Sequence, residues 1–309
     1  MLSVKGLTKD YGRLRAIDNL EFEVEEGIVY CFVGPNGAGK TTTIDIIATV
    51  LKPTSGDALV NGYSVVRDKE KVKWLIGYMP DFYGVYHDMS VWEYLDFFCS
   101  AYGLEGEKKR KRIEELLEMF ELAHKRDDEV ESLSRGMRQK LCLARALVHD
   151  PPLLLLDEPA SGMDPRARTE VLQLLKELSR KGKTIFISSH ILPEIGSICD
   201  KVGIIEKGKL LISESMDKLE EKVKGFRTIR IEIIEGKEIG ERIVRSNPQI
   251  IGIREWEKGW EVDFQGSDAS LADLLGELVR EGVKVVSFAP SREITLTDIF
   301  MRLTKGETQ

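Results

Sequence analysis

Gly34-Pro35-Asn36-Gly37-Ala38-Gly39-Lys40-Thr41, entered directly from the apolar run Ile28 to Val33, is the stretch on which the reading of this chain turns. The apolar run is continuous rather than alternating, as in a strand buried on both faces. The eight residues after it fit the pattern G-x-x-x-x-G-K-[ST], and an apolar helix is expected from about Lys40 to Leu51. The residue types suit a phosphate cradle. Gly37 and Gly39 let the backbone wrap tightly and aim N–H groups at phosphate oxygens. The helix N-terminus adds partial positive charge at the same place. In such a loop Lys40 reaches the β- and γ-phosphates, Thr41 holds Mg²⁺ by its hydroxyl and Thr42 touches a phosphate. A chance glycine turn is the competing reading, and the strand before and helix after both count against it.

Leu153-Leu154-Leu155-Leu156-Asp157-Glu158 supplies a second half. A strand rising from the core would deliver Asp157 to the Mg²⁺ shell, and Glu158 could orient or deprotonate an attacking water. Four apolar residues followed by two acids mean little alone, because strand ends often read that way. Joined to the cradle, they point to nucleotide hydrolysis.

Around these motifs, strands alternate with helices. Leu2, Val4, Phe22 and Val24 alternate with polar residues, as half-buried antiparallel strands do. From about Phe82 to Val148 the pattern is helical, with Ile113, Leu116, Leu117 and Phe120 on one face. The run Lys108 to Arg112 reads as that segment's solvated, flexible start. Asp164-Pro165 opens a further helix as N-cap and first residue. Thr184 to Ser188 and Val202 to Glu206 read as core strands, which implies a mostly parallel sheet with helices on both faces. After about Lys224 the order becomes β-α-β-β-α-β, which suggests a small ferredoxin-like sandwich, with a terminal helix near Leu296 to Leu303.

Composition narrows the function. Of 309 residues 42% are hydrophobic, and the formal net charge of −7 gives no cationic face for nucleic acid. The four cysteines are scattered among apolar neighbours and read as buried reduced thiols. No apolar run reaches the roughly 18 residues that would span a bilayer, so a membrane role is expected to come through a partner.

Leu133-Ser134-Arg135-Gly136-Met137-Arg138-Gln139-Lys140 discriminates among proteins that share the first two motifs. It resembles the signature motif of ABC ATPases, commonly L-S-G-G-Q, with Arg135 in place of the first glycine and Met137 in place of the glutamine. The variant looks like the branch serving ABC-2-type exporters. The resemblance implies that Ser134 and Gly136 contact the γ-phosphate of ATP held by the opposite protomer. It further implies that Tyr11 stacks on adenine, that Ser161-Gly162-Met163-Asp164 is the D-loop at the dimer interface, and that His190 senses the γ-phosphate. At the Q-loop, where most members carry glutamine, this chain has Tyr78-Met79-Pro80-Asp81. Asp81 is a hard oxygen that could reach Mg²⁺ or its waters.

The expectation is an α/β, ABC-type P-loop domain over residues 1–222, with a parallel sheet core, an antiparallel β subdomain and a helical subdomain at about 82–150. A small α+β accessory domain over residues 223–309 follows, expected to act as a dimerisation module or, alternatively, as a ligand sensor. The resemblance implies a Mg-dependent ATPase that energises an exporter through a separate ABC-2-like permease. It would sit on the inner face of the membrane, paired with an identical or different ATP-binding subunit. The alternative is a soluble ABC ATPase of translation or DNA maintenance. Such proteins usually carry two cassettes, a long coiled coil or basic arms, none of which stands out here.

Overall fold

The computed structural model describes residues 1–81, 84, 88–191, 195–223 and 226–293. It falls into two compact units, Met1–Met216 and Asp217–Gln309. In the first unit β1 (Leu2–Tyr11), β2 (Leu14–Val24), β3 (Val29–Val33), α1 (Lys40–Ile47), β4 (Ser55–Val60) and β5 (Tyr63–Ser64) come first. Then follow α2 (Lys69–Leu75), β6 (Ile76–Met79), α3 (Val91–Ala101), α4 (Gly106–Met119), α5 (Arg135–Ala146), β7 (Leu153–Asp157) and α6 (Pro165–Arg180). β8 (Thr184–Ser189), β9 (Lys201–Glu206) and β10 (Lys209–Ser215) complete the unit, and α7 (Met216–Val223) begins at its last residue.

Two sheets share this unit. The antiparallel sheet has the order β2-β1-β4-β5, with Leu2 opposite Val24 and Val4 opposite Phe22. The alternation of those residues is thus met by a sheet with one face in the core. The second sheet runs β10-β9-β3-β8-β7-β6 and is parallel except for its β9–β10 edge. β3, β7 and β8 are buried at every residue, which is why their sequences run apolar without alternation. An aromatic group ties the two sheets together. Tyr30 of β3 and Phe186 of β8 stack at 5.4 Å, and Phe22 of β2 lies 5.5 Å from Tyr30 and 5.8 Å from Phe186.

The parallel strands finish level. Val33 pairs with Ser189 and Asp157 with Ser188, so the ends of three strands deliver their next residues to one edge. Ligands of open α/β sheets bind beyond this carboxyl edge.

Two expectations need correction. α1 stops at Ile47 rather than near Leu51, because Thr49 turns to φ 64° and the N–H groups of Val50 and Leu51 both donate back to Asp45 O. The Lys108–Arg112 run is no loose start. It lies inside α4, Lys109 pairs with Asp96 at 2.7 Å, and Arg112 donates to Leu147 O and, at 3.3 Å, to Val148 O. All four cysteines are buried free thiols. Among the described residues no helix is long and apolar enough to cross a membrane.

The second unit contains β11 (Phe226–Glu235), α8 (Lys237–Ser246), β12 (Ile250–Trp256), β13 (Gly259–Gln265), α9 (Asp268–Arg280) and β14 (Lys284–Glu293). Its antiparallel sheet has the order β12-β13-β11-β14, the topology of a ferredoxin-like sandwich. Ile229, Ile231, Trp260, Val262 and Phe264 fill the core with Val244 and Leu278 from the helices. Gly240 lets α8 close on Trp260, since a methyl group there would fall 2.6 Å from the indole. The helix expected near Leu296 to Leu303 lies outside the described residues.

His149 packs in this frame as a neutral ring. It stacks on Tyr102 at 3.8 Å, and its Nε2 lies 2.9 Å from Ile76 O. Burial pushes its pKa down to about 4, helped by the cations Lys183 and Arg112. Between the ordinary value of 6.5 and about 4 the unfolded chain therefore takes up a proton that the folded chain refuses. Acidification through that window should cost on the order of 2 kcal/mol of stability after allowance for the ring's partial exposure. Urea unfolding of wild type and His149→Phe at the two ends of the window checks this, and the variant should lose that part of the dependence.

Candidate functional site

The glycine-rich loop leaves β3 at the level edge and closes on itself. Gly34 N donates to Ser189 O at 3.3 Å and Ala38 N to Pro35 O at 3.2 Å, while Gly208 N donates to Ala38 O at 3.0 Å. Gly34 is packed so tightly against the Ile205 carbonyl that no side chain fits there. Gly37 and Gly39 take φ 79° and 105°, conformations that L side chains rarely adopt. Gly39 is the N-cap of α1 and offers no side chain to the helix's first N–H groups, which leaves them for a ligand's oxygens. Lys40 is 6% exposed, and its Nζ donates to Gly34 O at 2.8 Å and Pro35 O at 3.3 Å. Asn36 and Thr41 are exposed, and Thr42 is half-buried.

The acids stand directly beside this loop. Asp157 is fully buried, and its Oδ1 accepts a hydrogen bond from Ser188 Oγ. Its Oδ2 is buried without a hydrogen-bond partner among the described residues. Glu158 follows at φ 49°, a left-handed conformation uncommon for its type, and its N–H donates to Ser188 Oγ at 3.0 Å. Its carboxylate lies between two partners, with Oε1 3.6 Å from Lys40 Nζ and Oε2 2.9 Å from His190 Nδ1. Burial raises the Glu158 pKa, and the bond and charge of His190 together with the charge of Lys40 act in the opposite sense.

Asp81 is exposed as a residue. Partial desolvation of its carboxyl and the charge of Asp157 push its pKa up, against the charges of Arg135, His190 and Lys40. The Q-loop departure thus faces the same electrostatic corner as the cradle and the acids. Tyr11 stands half-exposed at the end of β1, with Lys9 Nζ 5.1 Å from its ring centre. It pairs with Leu14 in a hairpin whose Ala16 carbonyl would meet a methyl at Gly39 at 2.6 Å, so that hairpin abuts the loop.

Ser134 and Gly136 of the signature segment stand apart from this cluster, although the charge of their neighbour Arg135 reaches Asp81. Ser134 is the N-cap of α5, its Oγ accepting from Met137 N at 3.3 Å. Ser134 and Gly136 line a cleft of about 500 Å³ with Glu121, His124, Gly162 and Asp164, and no residue of the glycine-rich loop lines it. Among the described residues nothing requires glycine at 136, since a methyl group there meets only the Ala167 methyl at 4.0 Å.

Sequence reasoning gave no role to three residues. Ser188 bridges Asp157 and the Glu158 backbone. Gln139, 3% exposed inside the signature helix, donates to Ser161 O at 3.1 Å. Asp45 accepts from Tyr78 OH at 2.7 Å, with its pKa raised by burial and by the Asp157 charge. The register that places Ser188 opposite Asp157 is the signal that could have found the first.

Fold and site together define a P-loop nucleotide-binding protein. A family model described as ABC transporter matches residues 17–161. An uncharacterised ABC transporter ATP-binding protein of Bacillus subtilis is 33% identical over 307 residues, 98% of this chain and 99% of that one. The linearmycin resistance ATP-binding protein of Bacillus subtilis is 29% identical over 98% of both chains. The bacitracin transport ATP-binding protein of Bacillus licheniformis is 40% identical over 72% of each. Among solved structures, an ATP-binding subunit of an ABC transporter aligns with 72% of this chain and 93% of its own at 30% identity and TM-score 0.66. A dimeric ATP-binding cassette in a post-hydrolysis state, bound to ADP and Pi, aligns with 70% of this chain and 99% of its own at 26% identity and TM-score 0.64. The chain belongs to the ABC transporter ATP-binding family: it is an ATP-binding, ATP-hydrolysing subunit of a transporter, and the soluble alternative finds no support.

Ser188→Ala should strip the buried Asp157 carboxylate and the Glu158 N–H of a shared partner. The expected cost is about 1 to 3 kcal/mol of stability, read from denaturant unfolding without nucleotide, with turnover falling as well.

Proposed function

We infer that this subunit energises an exporter by closing a MgATP site between two ATP-binding chains beneath an ABC-2-type permease. The observation that carries the reading is the corner where Lys40, Glu158 and His190 meet beside the unpartnered Oδ2 of Asp157. Lys40 gives up its carbonyl partners for the β- and γ-phosphates, and the loop's N–H groups hold the chain of oxygens. Gly34 to Ala38 form the wall, Thr42 adds a hydroxyl contact, and Tyr11 covers the adenine.

The residues present suit Mg²⁺. A buried carboxylate oxygen without a partner, the exposed hydroxyl of Thr41 and the nearby Asp81 are hard donors, and Mg²⁺ needs few protein ligands when phosphates supply others. No cluster of three acidic, His or Cys side chains exists among the described residues, in keeping with such a sparse shell. Bound Mg²⁺ neutralises charge on the phosphate oxygens. Glu158 holds and deprotonates the attacking water, and His190, bonded to Glu158, fixes that carboxylate and meets the γ-phosphate.

The other half of each site comes from Ser134 and Gly136 of a second chain. A serine hydroxyl and N–H groups at a helix N-terminus make an anion site. The open space at Gly136 supports this, because it leaves room for a phosphate held by another chain. That second chain is a further ATP-binding subunit, identical or not.

For the permease, the fitting surface is a groove of about 470 Å³ lined by Trp74, Tyr78, Phe98, Tyr102, Arg145 and His149. Of the aromatic residues on α3, Tyr94 is core, whereas Phe97 is 45% exposed. Relatives named for bacitracin transport and linearmycin resistance support the export direction and a place on the inner membrane face. The second unit serves best as a module that keeps subunits together between cycles.

Glu158→Gln should still bind MgATP and dimerise while turnover falls at least about a hundredfold. Steady-state phosphate release near the wild-type rate would remove Glu158 from the base role. Ser134→Arg should leave ATP binding by each chain intact and abolish ATP-driven dimerisation in light scattering; unchanged dimers would contradict the shared site.

A further inference from the structure

Arg135 stands where the family's signature carries glycine, and its side chain has a defined seat in its own chain. A methyl group at Gly162 would meet the guanidinium carbon and lie 2.5 and 2.6 Å from the two terminal nitrogens. Near-equal approach to all three atoms means that the flat face of the guanidinium covers the Gly162 Cα. Gly162 is itself at φ 71°. Two requirements therefore coincide at this position: the backbone needs a left-handed residue, and the arginine needs the space a side chain would fill.

The loop under this guanidinium is the one that begins with Glu158. Ser161 N donates to Glu158 O at 3.0 Å, and Met163 N to Ala160 O at 3.4 Å. Gln139 Nε2, one helical turn beyond Arg135, donates to Ser161 O at 3.1 Å from a side chain only 3% exposed. Arg168 holds the far end through Met163 O at 3.3 Å. α5 thus grips the loop twice from one face, by an amide bond at Ser161 and by a stacked plane at Gly162. The same helix carries Ser134 as its N-cap.

We propose that Arg135 is a positioning residue that locks the loop Glu158–Met163 to the first turn of α5, so that the helix with the anion site and the loop with Glu158 move as one body. The proposal rests on the reading of Glu158 as the base. A guanidinium suits the task because its rigid plane covers a glycine backbone, which an ammonium on a flexible stem does not. In this account the departure from the usual signature couples two half-sites and leaves nucleotide contacts alone.

The test is a double-mutant cycle on full-length protein, reading kcat, KM for ATP and unfolding temperature. Arg135→Ala should lower kcat about tenfold through a loosened base, with KM held within about twofold and unfolding unchanged. Arg135→Lys should be as slow as Arg135→Ala. Gly162→Ala should be at least as slow, because it expels the guanidinium and strains the turn. The double variant should be no slower than Gly162→Ala alone, since the turn strain is common to both backgrounds and cancels. Losses that multiply would overturn the interlock. A rise in KM with kcat retained would show that Arg135 touches nucleotide, and a lysine that restores the rate would show that charge rather than the plane matters; either result overturns the proposal. Should Gly162→Ala fail to fold, the kcat and KM pattern of the two Arg135 variants still decides. If Glu158→Gln keeps turnover, the base assignment fails by itself, while the cycle still reports whether positions 135 and 162 are coupled.

Discussion

The negative charge of Asp157 is the constraint around which this corner of the molecule is arranged. The residue is fully buried at the end of a core strand, and one of its two oxygens has no hydrogen-bond partner among the described residues. Its charge is felt by Asp45, Tyr78, Asp81 and Glu158, and in each it favours the protonated form. Buried charges are costly unless paired, and a cation held there, as in the proposed Mg²⁺ site, would relieve that cost. Lys40 is spoken for by two carbonyl oxygens and by Glu158. A divalent ion arriving with nucleotide phosphates would quiet the whole group at once.

The fold reaches that arrangement with few devices. Three parallel strands end level, so residues distant in sequence arrive at one edge in fixed register. Glycines at 34, 37 and 39 let the loop from β3 hug that edge and open the start of α1. The aromatic group of Phe22, Tyr30 and Phe186 then holds the antiparallel sheet, whose hairpin abuts the loop, against the parallel one. Positions of strain fall where chemistry is expected: Glu158 is left-handed, and its carboxylate is shared between a lysine and a histidine. Ser134 lies elsewhere on the surface, at the N-terminus of α5, so that in the proposed reading one chain alone holds two incomplete sites.

Much of this was legible beforehand because the signals are local and redundant. A continuous apolar run, a glycine loop and a helix identified β3 and α1, and the turn residues Asp164 and Pro165 marked α6 at its first residue. The β-α-β-β-α-β order of the second unit was read chiefly from the alternation of Ile229, Ile231 and Ile233 and the helical spacing of Leu271, Leu274, Leu275 and Leu278. The missed features depend on tertiary register or on single backbone angles. Thr49 ends α1 early by a left-handed turn that its type does not announce. Ser188 gains its role only because β7 and β8 pair in one register. Arg135 finds its seat on a loop 27 positions onward, a contact that no local pattern encodes.

The central claim is that each ATP site is completed by a second chain. Turnover of an equimolar mixture of Lys40→Ala and Ser134→Arg chains tests it most directly, since each variant alone should be inactive. If the sites are shared, mixed dimers place an intact cradle from one chain against an intact signature from the other, and turnover reappears on mixing. A mixture that forms mixed dimers yet stays as inactive as its components would contradict the shared site.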